Sequence, residues 1–255
     1  MVIKWQVELP ELAGERLRSA YVYLPESYGW ADGRRYPVLY MFDGHNVFFD
    51  QDATYGKSWG MKEYLDKSQT QLIVAAVECS HSPDNGRLSE YSPYDFADPQ
   101  LGRFRGLGRE TMEWLISDFK SEIDRQYRTL PDREHTFLAG SSMGGLMSLY
   151  GVLEFNHVFS RAGALSPSVW VAPGKLSKLA REARLGKDTV IYTDYGSEEG
   201  RQRPKVAGQL SKLANILESR EVMMTRRIVP GGTHCEACWE RQLPFVIPAL
   251  MYGLE

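Results

Sequence analysis

The chain has 255 residues, 43% of them hydrophobic and 25% charged, which is typical of a globular protein with a substantial core. Its net charge of −3 provides no basic surface, so neither nucleic acid nor an anionic membrane is predicted as a partner. No apolar run approaches the length of a membrane-spanning helix, and the N-terminal residues lack the long apolar region and cleavage site of a secretion signal.

The first part of the chain is predicted to contain four strands, at 2–9, 17–24, 38–42 and 72–77. The third and fourth are continuous apolar runs, which suit the centre of a sheet. A short helix is predicted over 60–67, and the spacing of apolar residues predicts an amphipathic helix over 109–127. The polar and aromatic stretch at 78–108 is predicted to be a long loop that forms one wall of a substrate site.

The second part of the chain is predicted to contain four further strands, at 136–139, 161–165, 189–193 and 223–229. Helices are predicted between and after them, at 146–153, 175–184, 206–219 and 238–252, the last interrupted by Pro244 and Pro248. Alternating strands and helices predict an α/β fold with a mostly parallel sheet and helices on both faces. Nothing indicates a domain boundary, so residues 1–255 are predicted to form a single domain.

A tight turn with the pattern G-x-S-x-G lies between a predicted strand and a predicted helix. It reads Gly140-Ser141-Ser142-Met143-Gly144, and strand, sharp turn and helix are the context of a nucleophile elbow. We therefore predict Ser142 as a catalytic nucleophile; Ser141 is the weaker candidate because it lacks the symmetric glycine spacing. The backbone N–H of Met143 would lie at the helix N-terminus and point at a developing oxyanion.

A serine nucleophile needs a base, and His234 is the histidine in the expected position. It follows the last predicted strand in a glycine-rich loop, and it satisfies the order serine, acid, histidine. His135 and His157 are predicted to be structural, whereas His81 lies in the long loop and is a possible substrate contact.

The acid and the second oxyanion donor are less well defined by the sequence. The segment after the strand at 189–193 offers Asp194, Glu198 and Glu199; spacing favours Glu199, with Asp194 as the alternative and Glu198 solvated. The second donor is expected from the loop after the strand at 38–42, as the backbone N–H of His45 or, failing that, of Asn46. The spacing around His45 indicates no metal site.

Cys235 and Cys238 form a C-x-x-C pair, which can be a redox pair or half of a zinc site. No second pair or H-x-x-x-H accompanies it, so the two side chains are predicted to pack in the protein, and no metal or cofactor is predicted. The chain has three cysteines, too few for a disulfide framework, which favours a cytoplasmic location.

Several segments together resemble the family named Putative esterase, and the similarity extends from about residue 17 to 250. They read FDGHNVF (42–48), YGKSW (55–59), EYSP (90–93), YRTLPD (127–132), AGSSMGG (139–145) and GALSPS (163–168). The family is related to enterochelin, feruloyl and acetylxylan esterases, esterase D and mycolyltransferases. The resemblance implies an α/β-hydrolase fold without a separate lid domain, and a triad of Ser142, His234 and Glu199. His45 stands where many relatives carry glutamine, and the chain has no room for the N-terminal domain of true enterochelin esterases.

The sequence thus predicts a serine carboxylic-ester hydrolase that forms an acyl-enzyme on Ser142 and acts on a small aromatic, sugar or siderophore ester. Four aromatic side chains are predicted to line the pocket: Trp59, Tyr91, Phe104 and Trp170. Two alternatives remain open at this point. The same acyl-serine could transfer its acyl group to an alcohol, or the chain could be a hydrolase-fold binding protein without turnover.

Overall fold

A computed structural model describes residues 1–9, 12 and 16–254, and ten strands lie in this part of the chain. They are β1 (Val2–Glu8), β2 (Leu17–Tyr23), β3 (Val38–Met41), β4 (Ile73–Val77), β5 (Phe96–Asp98), β6 (Gly102–Phe104), β7 (Thr136–Ser141), β8 (Arg161–Leu165), β9 (Val190–Gly196) and β10 (Met223–Val229). Eight of them form one sheet in the order β1-β2-β4-β3-β7-β8-β9-β10, and β5 pairs with β6. Pairing is antiparallel between β1, β2 and β4 and parallel in the rest of the large sheet.

Helices cover both faces of this sheet. The described residues contain α1 (Met61–Ser68), α2 (Gly86–Glu90), α3 (Gly108–Trp114), α4 (Ser121–Gln126), α5 (Met143–Glu154), α6 (Pro173–Glu182), α7 (Ser197–Gln202), α8 (Pro204–Glu218), α9 (Glu236–Glu240) and α10 (Leu243–Met251). A π-helical segment, Leu115–Lys120, joins α3 to α4. No helix in the described residues is both long enough and apolar enough to cross a bilayer.

The core consists of two apolar layers separated by the sheet. Strands β3, β4 and β8 are buried at every position. For β3 and β4 this agrees with their continuous apolar runs, which are typical of strands covered on both faces. One layer includes side chains of α3, α5 and α8, and the other includes side chains of α1 and α10. The predicted α/β fold with a mostly parallel sheet is therefore confirmed.

Two predicted segments differ from the structure. The predicted loop at 78–108 contains α2 and the β5–β6 hairpin, elements of three to five residues that are too short to produce a readable apolar period. The predicted last helix is two helices, α9 and α10, separated at Arg241–Gln242. Pro244 lies in the first turn of α10, where its missing N–H leaves no helical bond unmade, while Pro248 lies inside α10.

The parallel strands end at one edge of the sheet, and the loops that follow them lie close together there. Strand β3 leads into a short 3₁₀ turn, Gly44–Asn46, and β7 leads directly into α5. The loop after β10 carries His234, and β9 continues into α7. Functional groups of open α/β sheets gather at this edge, which is where the candidate site lies.

Candidate active site

Ser142 lies at the turn between β7 and α5 in a strained backbone conformation. Its φ of 56° and ψ of −118° are outside the regions that L-residues ordinarily occupy. The turn depends on small neighbours, because a Cβ on Gly140 would lie 2.7 Å from the backbone carbon of Gly144. A Cβ on Gly144 would lie 2.9 Å from the Cβ of Phe42. The glycine spacing seen in the sequence is thus what allows this sharp turn.

A continuous hydrogen-bonded chain joins the three predicted triad residues. His234 Nε2 lies 2.9 Å from Ser142 Oγ, and His234 Nδ1 lies 2.6 Å from Glu199 Oε2. The imidazole comes from the loop after β10 and packs edge-on against the ring of Trp239, with ring centroids 5.0 Å apart. The structure therefore brings together a hydroxyl, an imidazole and a carboxylate in the geometry that activates a serine.

Glu199 is held as a buried carboxylate by several donors. Its Oε1 accepts hydrogen bonds from the Ser166 hydroxyl at 2.7 Å and from the Gly196 backbone N–H at 3.1 Å. Trp239 Nε1 in turn donates to Ser166 Oγ at 3.2 Å. Burial by itself would raise the pKa of Glu199, but the bonds from His234, Ser166 and Gly196 and the charge of His234 outweigh it and hold the pKa below its usual value.

The alternative acid, Asp194, lies at the end of the same strand in a different environment. It makes no contact with His234; its oxygens accept hydrogen bonds from the Tyr192 hydroxyl and the Ser166 backbone N–H. Burial raises the pKa of Asp194 to about 7. Glu198 is partly exposed and pairs with Arg201. Of the three carboxylates that the sequence offered, Glu199 is the one in contact with the imidazole.

Two backbone amides lie near the elbow in positions suited to an oxyanion. Met143 is the first residue of α5, so its N–H has no partner within the helix. His45 lies in the 3₁₀ turn after β3, and Asp43 begins this turn in the left-handed region, with a φ of 58°. The amide of Asn46, the other donor considered from the sequence, is bonded to the Asp43 carbonyl at 2.8 Å. This bond leaves His45 as the better placed of the two.

A cleft of about 460 Å³ lies over Ser142 and His234, and most of the residues that line it have polar side chains. Asp43 and Arg87 form a bidentate ion pair in it, with N–O distances of 2.6 and 2.7 Å. Burial opposes the charge on Asp43, yet the Arg87 guanidinium holds the pKa of that carboxyl below its usual range. Glu236 also lines the cleft, and burial raises its pKa. The cleft therefore offers charged and hydrogen-bonding groups beside Ser142.

The four aromatic residues predicted as pocket walls do not line this cleft. Trp59 and Tyr91 are buried in the core, where Trp59 packs near Trp239 and the Tyr91 hydroxyl accepts a bond from the Asp43 backbone N–H. Phe104 is buried in the β5–β6 hairpin, where Phe96 stacks on it, and Trp170 packs edge-on against the same Phe96. That interpretation was wrong for this cleft because these rings pack in apolar layers of the protein.

Two other aromatic side chains lie in the cleft, Tyr55 and Trp239, and the sequence interpretation had passed over both. Tyr55 is 81% exposed and belongs to the same family segment, YGKSW, as Trp59. The segment therefore does contribute an aromatic side chain to the cleft, but that side chain is Tyr55 and not Trp59. Arg87 and Glu236 carried no comparable signal, because a single charged residue in a loop is usually solvated.

The remaining candidates fall into two groups. His81 and the side chain of His45 both line the cleft, and a substrate contact by His81 stays a prediction. Cys238 is buried as predicted, while Cys235 is half-buried at the cleft with its Sγ 3.4 Å from the Thr233 hydroxyl. One arrangement was not visible in the spacing around His45: the fold brings Cys79 and His81 next to it, a cluster that could hold a metal ion.

Comparison with protein families gives a match over residues 13–250 to the family described as "Esterase: Putative esterase". The chain belongs to this family. The predicted family is thereby confirmed, and the protein is an enzyme of the carboxylic-ester hydrolase class. This esterase is 25% identical over 194 residues to the Bacillus subtilis (strain 168) protein YbbA, which covers 75% of this chain and 72% of the relative.

Solved structures with the same fold cover almost the whole esterase. A ferulic acid esterase is 17% identical and superposes with a TM-score of 0.72, covering 98% of this chain and 97% of that chain. An enterobactin esterase from Shigella flexneri, crystallised with 2,3-dihydroxy-N-benzoyl-glycine, is 16% identical with a TM-score of 0.75. The superposition covers 100% of this chain but only 60% of the enterobactin esterase. These likenesses confirm the α/β-hydrolase fold.

Proposed function

We propose that this esterase hydrolyses carboxylic esters through an acyl-enzyme intermediate on Ser142. The observation that supports the proposal most directly is the hydrogen-bonded chain from Ser142 through His234 to Glu199, with links of 2.9 and 2.6 Å, at the floor of an open cleft. A serine hydroxyl is a poor nucleophile near pH 7, so an imidazole within hydrogen-bond reach is the feature that makes the reaction feasible.

In the acylation step, Ser142 Oγ attacks the ester carbonyl carbon while His234 Nε2 takes the hydroxyl proton. The carbonyl π bond opens and its electron pair moves to the oxygen, which becomes an oxyanion. When the carbonyl re-forms, the bond to the alcohol oxygen breaks, and His234 gives its proton to that leaving oxygen. Glu199, whose pKa is held low, stabilises the imidazolium that exists between these two transfers.

In the deacylation step, a water molecule loses a proton to His234 and adds to the acyl carbon. The second tetrahedral intermediate collapses by breaking the bond to Ser142 Oγ, which recovers its proton from the imidazolium, and the acid leaves. In our proposal the backbone amides of Met143 and His45 donate to the oxyanion in both steps. Each such preorganised donor typically lowers the barrier by about 3 kcal/mol.

For the substrate, we propose an ester of a hydroxylated aromatic acid. The structural neighbours named for ferulic acid and for enterobactin share this chemistry, since the second was crystallised with a dihydroxybenzoyl compound. In this chain, Tyr55 and Trp239 place aromatic side chains, and Arg87 and His81 place polar ones, along the same cleft. Esters of simple acids and acetylated sugars should then be hydrolysed with lower kcat/KM than feruloyl or dihydroxybenzoyl esters of the same alcohol.

A fluorophosphonate probe tests the mechanism independently of the substrate. Folded protein should form one covalent adduct, and peptide mass spectrometry should locate it on Ser142. The Ser142→Ala variant should lose the adduct together with hydrolysis of p-nitrophenyl esters, whereas Ser141→Ala should still be labelled on Ser142. An adduct on Ser141, or no adduct in folded protein, would rule out the acyl-enzyme proposal.

A further inference from the structure

Three side chains in the cleft form a cluster of metal-ligand type. His45 follows β3, while Cys79 and His81 follow the adjacent strand β4. One potential ligand atom from each residue lies within 4.8 Å of the other two. The two imidazole rings meet edge to face with their centroids 4.7 Å apart. Two imidazoles and one thiol converge here although they are dispersed in the sequence.

In both imidazoles one ring nitrogen makes a hydrogen bond, and the other remains available to bind a metal. His45 Nε2 bonds the Thr54 hydroxyl at 3.0 Å, while its buried Nδ1 has no partner among the described residues. His81 Nε2 lies 2.9 Å from Glu78 Oε1, so its Nδ1 carries the available lone pair when Nε2 donates to that carboxylate. A carboxylate behind a metal-bound histidine is the usual supporting arrangement, because it fixes the tautomer and the ring orientation.

The side chain of His45 is only 4% exposed, so an unpaired polar nitrogen on it is costly and requires an explanation. With Nε2 engaged by the Thr54 hydroxyl, Nδ1 is the nitrogen whose lone pair a cation could use. Cys79 is buried beside His45 as a free thiol.

We propose that His45, Cys79 and His81 bind one divalent cation of the zinc class, with a fourth coordination position open to the cleft. Two imidazole nitrogens and one thiolate are ligands that Zn²⁺ prefers, and three protein ligands with an open position is a common zinc arrangement. Small side-chain movements must shorten the ligand separations, since Zn–N bonds are about 2.0 Å and Zn–S bonds about 2.3 Å. On binding, the Cys79 S–H bond breaks, its proton leaves to water, and the thiolate forms the bond to the cation.

The site lies in the same cleft as Ser142 and His234. A bound cation and its fourth ligand would occupy part of the substrate volume, and they would fix the His45 segment that we assign to the oxyanion site. Zn²⁺ is therefore expected to inhibit ester hydrolysis reversibly. This consequence rests on the proposed function, whereas binding of the cation does not.

Cobalt provides a direct test of binding, because a Co²⁺–thiolate bond gives an ultraviolet charge-transfer band that a thiol does not. Chelator-treated protein should bind one Co²⁺ per chain with this band, and Zn²⁺ should displace it. Cys79→Ser should remove the band. The conservative variant Glu78→Gln should weaken Co²⁺ binding about 10- to 100-fold. It keeps a side-chain oxygen to accept the hydrogen bond that the Ser19 N–H donates to Glu78 at 3.0 Å.

The matched control is Cys235→Ser, because Cys235 is the other thiol in the cleft. This variant should keep the band and the affinity, and His81→Ala, on an exposed side chain, should lose affinity while its thermal unfolding stays like that of the parent protein. Loss of the band in Cys235→Ser, or unchanged Co²⁺ affinity in both Glu78→Gln and His81→Ala, would overturn the proposal. If Co²⁺ binds as expected but the parent protein hydrolyses no ester, it is the proposed function that fails.

Discussion

Two buried carboxyl groups at the end of β9, Asp194 and Glu199, differ in charge because their neighbours differ. Glu199 receives hydrogen bonds from His234, Ser166 and Gly196, which keep its pKa low. Asp194 receives fewer, so burial dominates and raises its pKa to about 7. A carboxyl group that stays ionised can stabilise an imidazolium, whereas one that is half-protonated near pH 7 cannot do so reliably.

Glu199→Gln should reduce kcat by about three to four orders of magnitude, as loss of the acid does in serine hydrolases, because an amide no longer stabilises the imidazolium. Steady-state hydrolysis of a p-nitrophenyl ester measures this effect. Asp194→Asn is the matched control, since it changes a buried carboxyl at the same strand end that does not touch His234. A comparable loss of kcat in Asp194→Asn would contradict the assignment of the acid.

The raised pKa of Asp194 also predicts how stability changes with pH. The native group binds its proton up to about pH 7, whereas the unfolded group releases it near its usual value of 3.8. Between these values the native state holds more protons, so this residue's contribution to the unfolding free energy falls as pH rises from about 4 to 7. Relative to the parent protein, Asp194→Asn should gain stability on the order of 4 kcal/mol at pH 8 and little at pH 4. Urea unfolding at both pH values measures the difference, and an equal effect at both would refute it.

The turn between β7 and α5 depends on glycines, because a side chain at Gly140 or Gly144 would collide with its neighbours. In Gly140→Ala the new methyl group would lie 2.7 Å from backbone, which cannot move as a flexible side chain would. The unfolding free energy should fall by about 1–3 kcal/mol, and activity should fall with it because Ser142 shifts. Gly174→Ala is the control, because its Cβ would meet nothing within 4 Å at the start of α6. That change should be neutral or stabilise by up to about 1 kcal/mol.

At the element scale, the strands and the elbow could be predicted because their signals are local. Continuous apolar runs predicted the buried strands β3 and β4, and the spacing of Gly140 and Gly144 predicted the turn at Ser142. The segment at 78–108 hid α2 and a hairpin, because such short elements are stabilised by contacts outside themselves. Glu90 of α2 is an example: its side chain accepts a bond from the Ser80 N–H, and its carbonyl accepts one from the Thr111 hydroxyl.

For the molecule as a whole, the cleft could not be predicted because its lining comes from separate loops. Whether an aromatic ring is packed or exposed depends on distant parts of the chain: Trp59 packs near Trp239, while Tyr55 in the same segment is exposed. The juxtaposition of His45 with Cys79 likewise depends on β3 and β4 being neighbours in the sheet. Sequence spacing contains no information about such pairings.

The residues of the proposed triad follow strands that differ in burial. Ser142 follows the central strand β7, whereas His234 follows β10, an edge strand with several exposed residues. Local opening is easiest at elements with few buried contacts. The urea midpoint for loss of activity should therefore be lower than the midpoint for loss of the far-ultraviolet circular dichroism signal, which reports on the whole chain. Coincident midpoints would indicate that the loop after β10 unfolds only together with the core.

The positive φ of Ser142 places its hydroxyl at the turn but lowers the stability of the folded chain. A positive φ costs a residue with a Cβ on the order of 1 kcal/mol and costs glycine almost nothing, yet glycine has no hydroxyl. Ser142→Gly should consequently yield a protein that resists urea better than its parent while it hydrolyses no ester. If so, the serine proposed as the nucleophile is kept at this position although it lowers the free energy of unfolding.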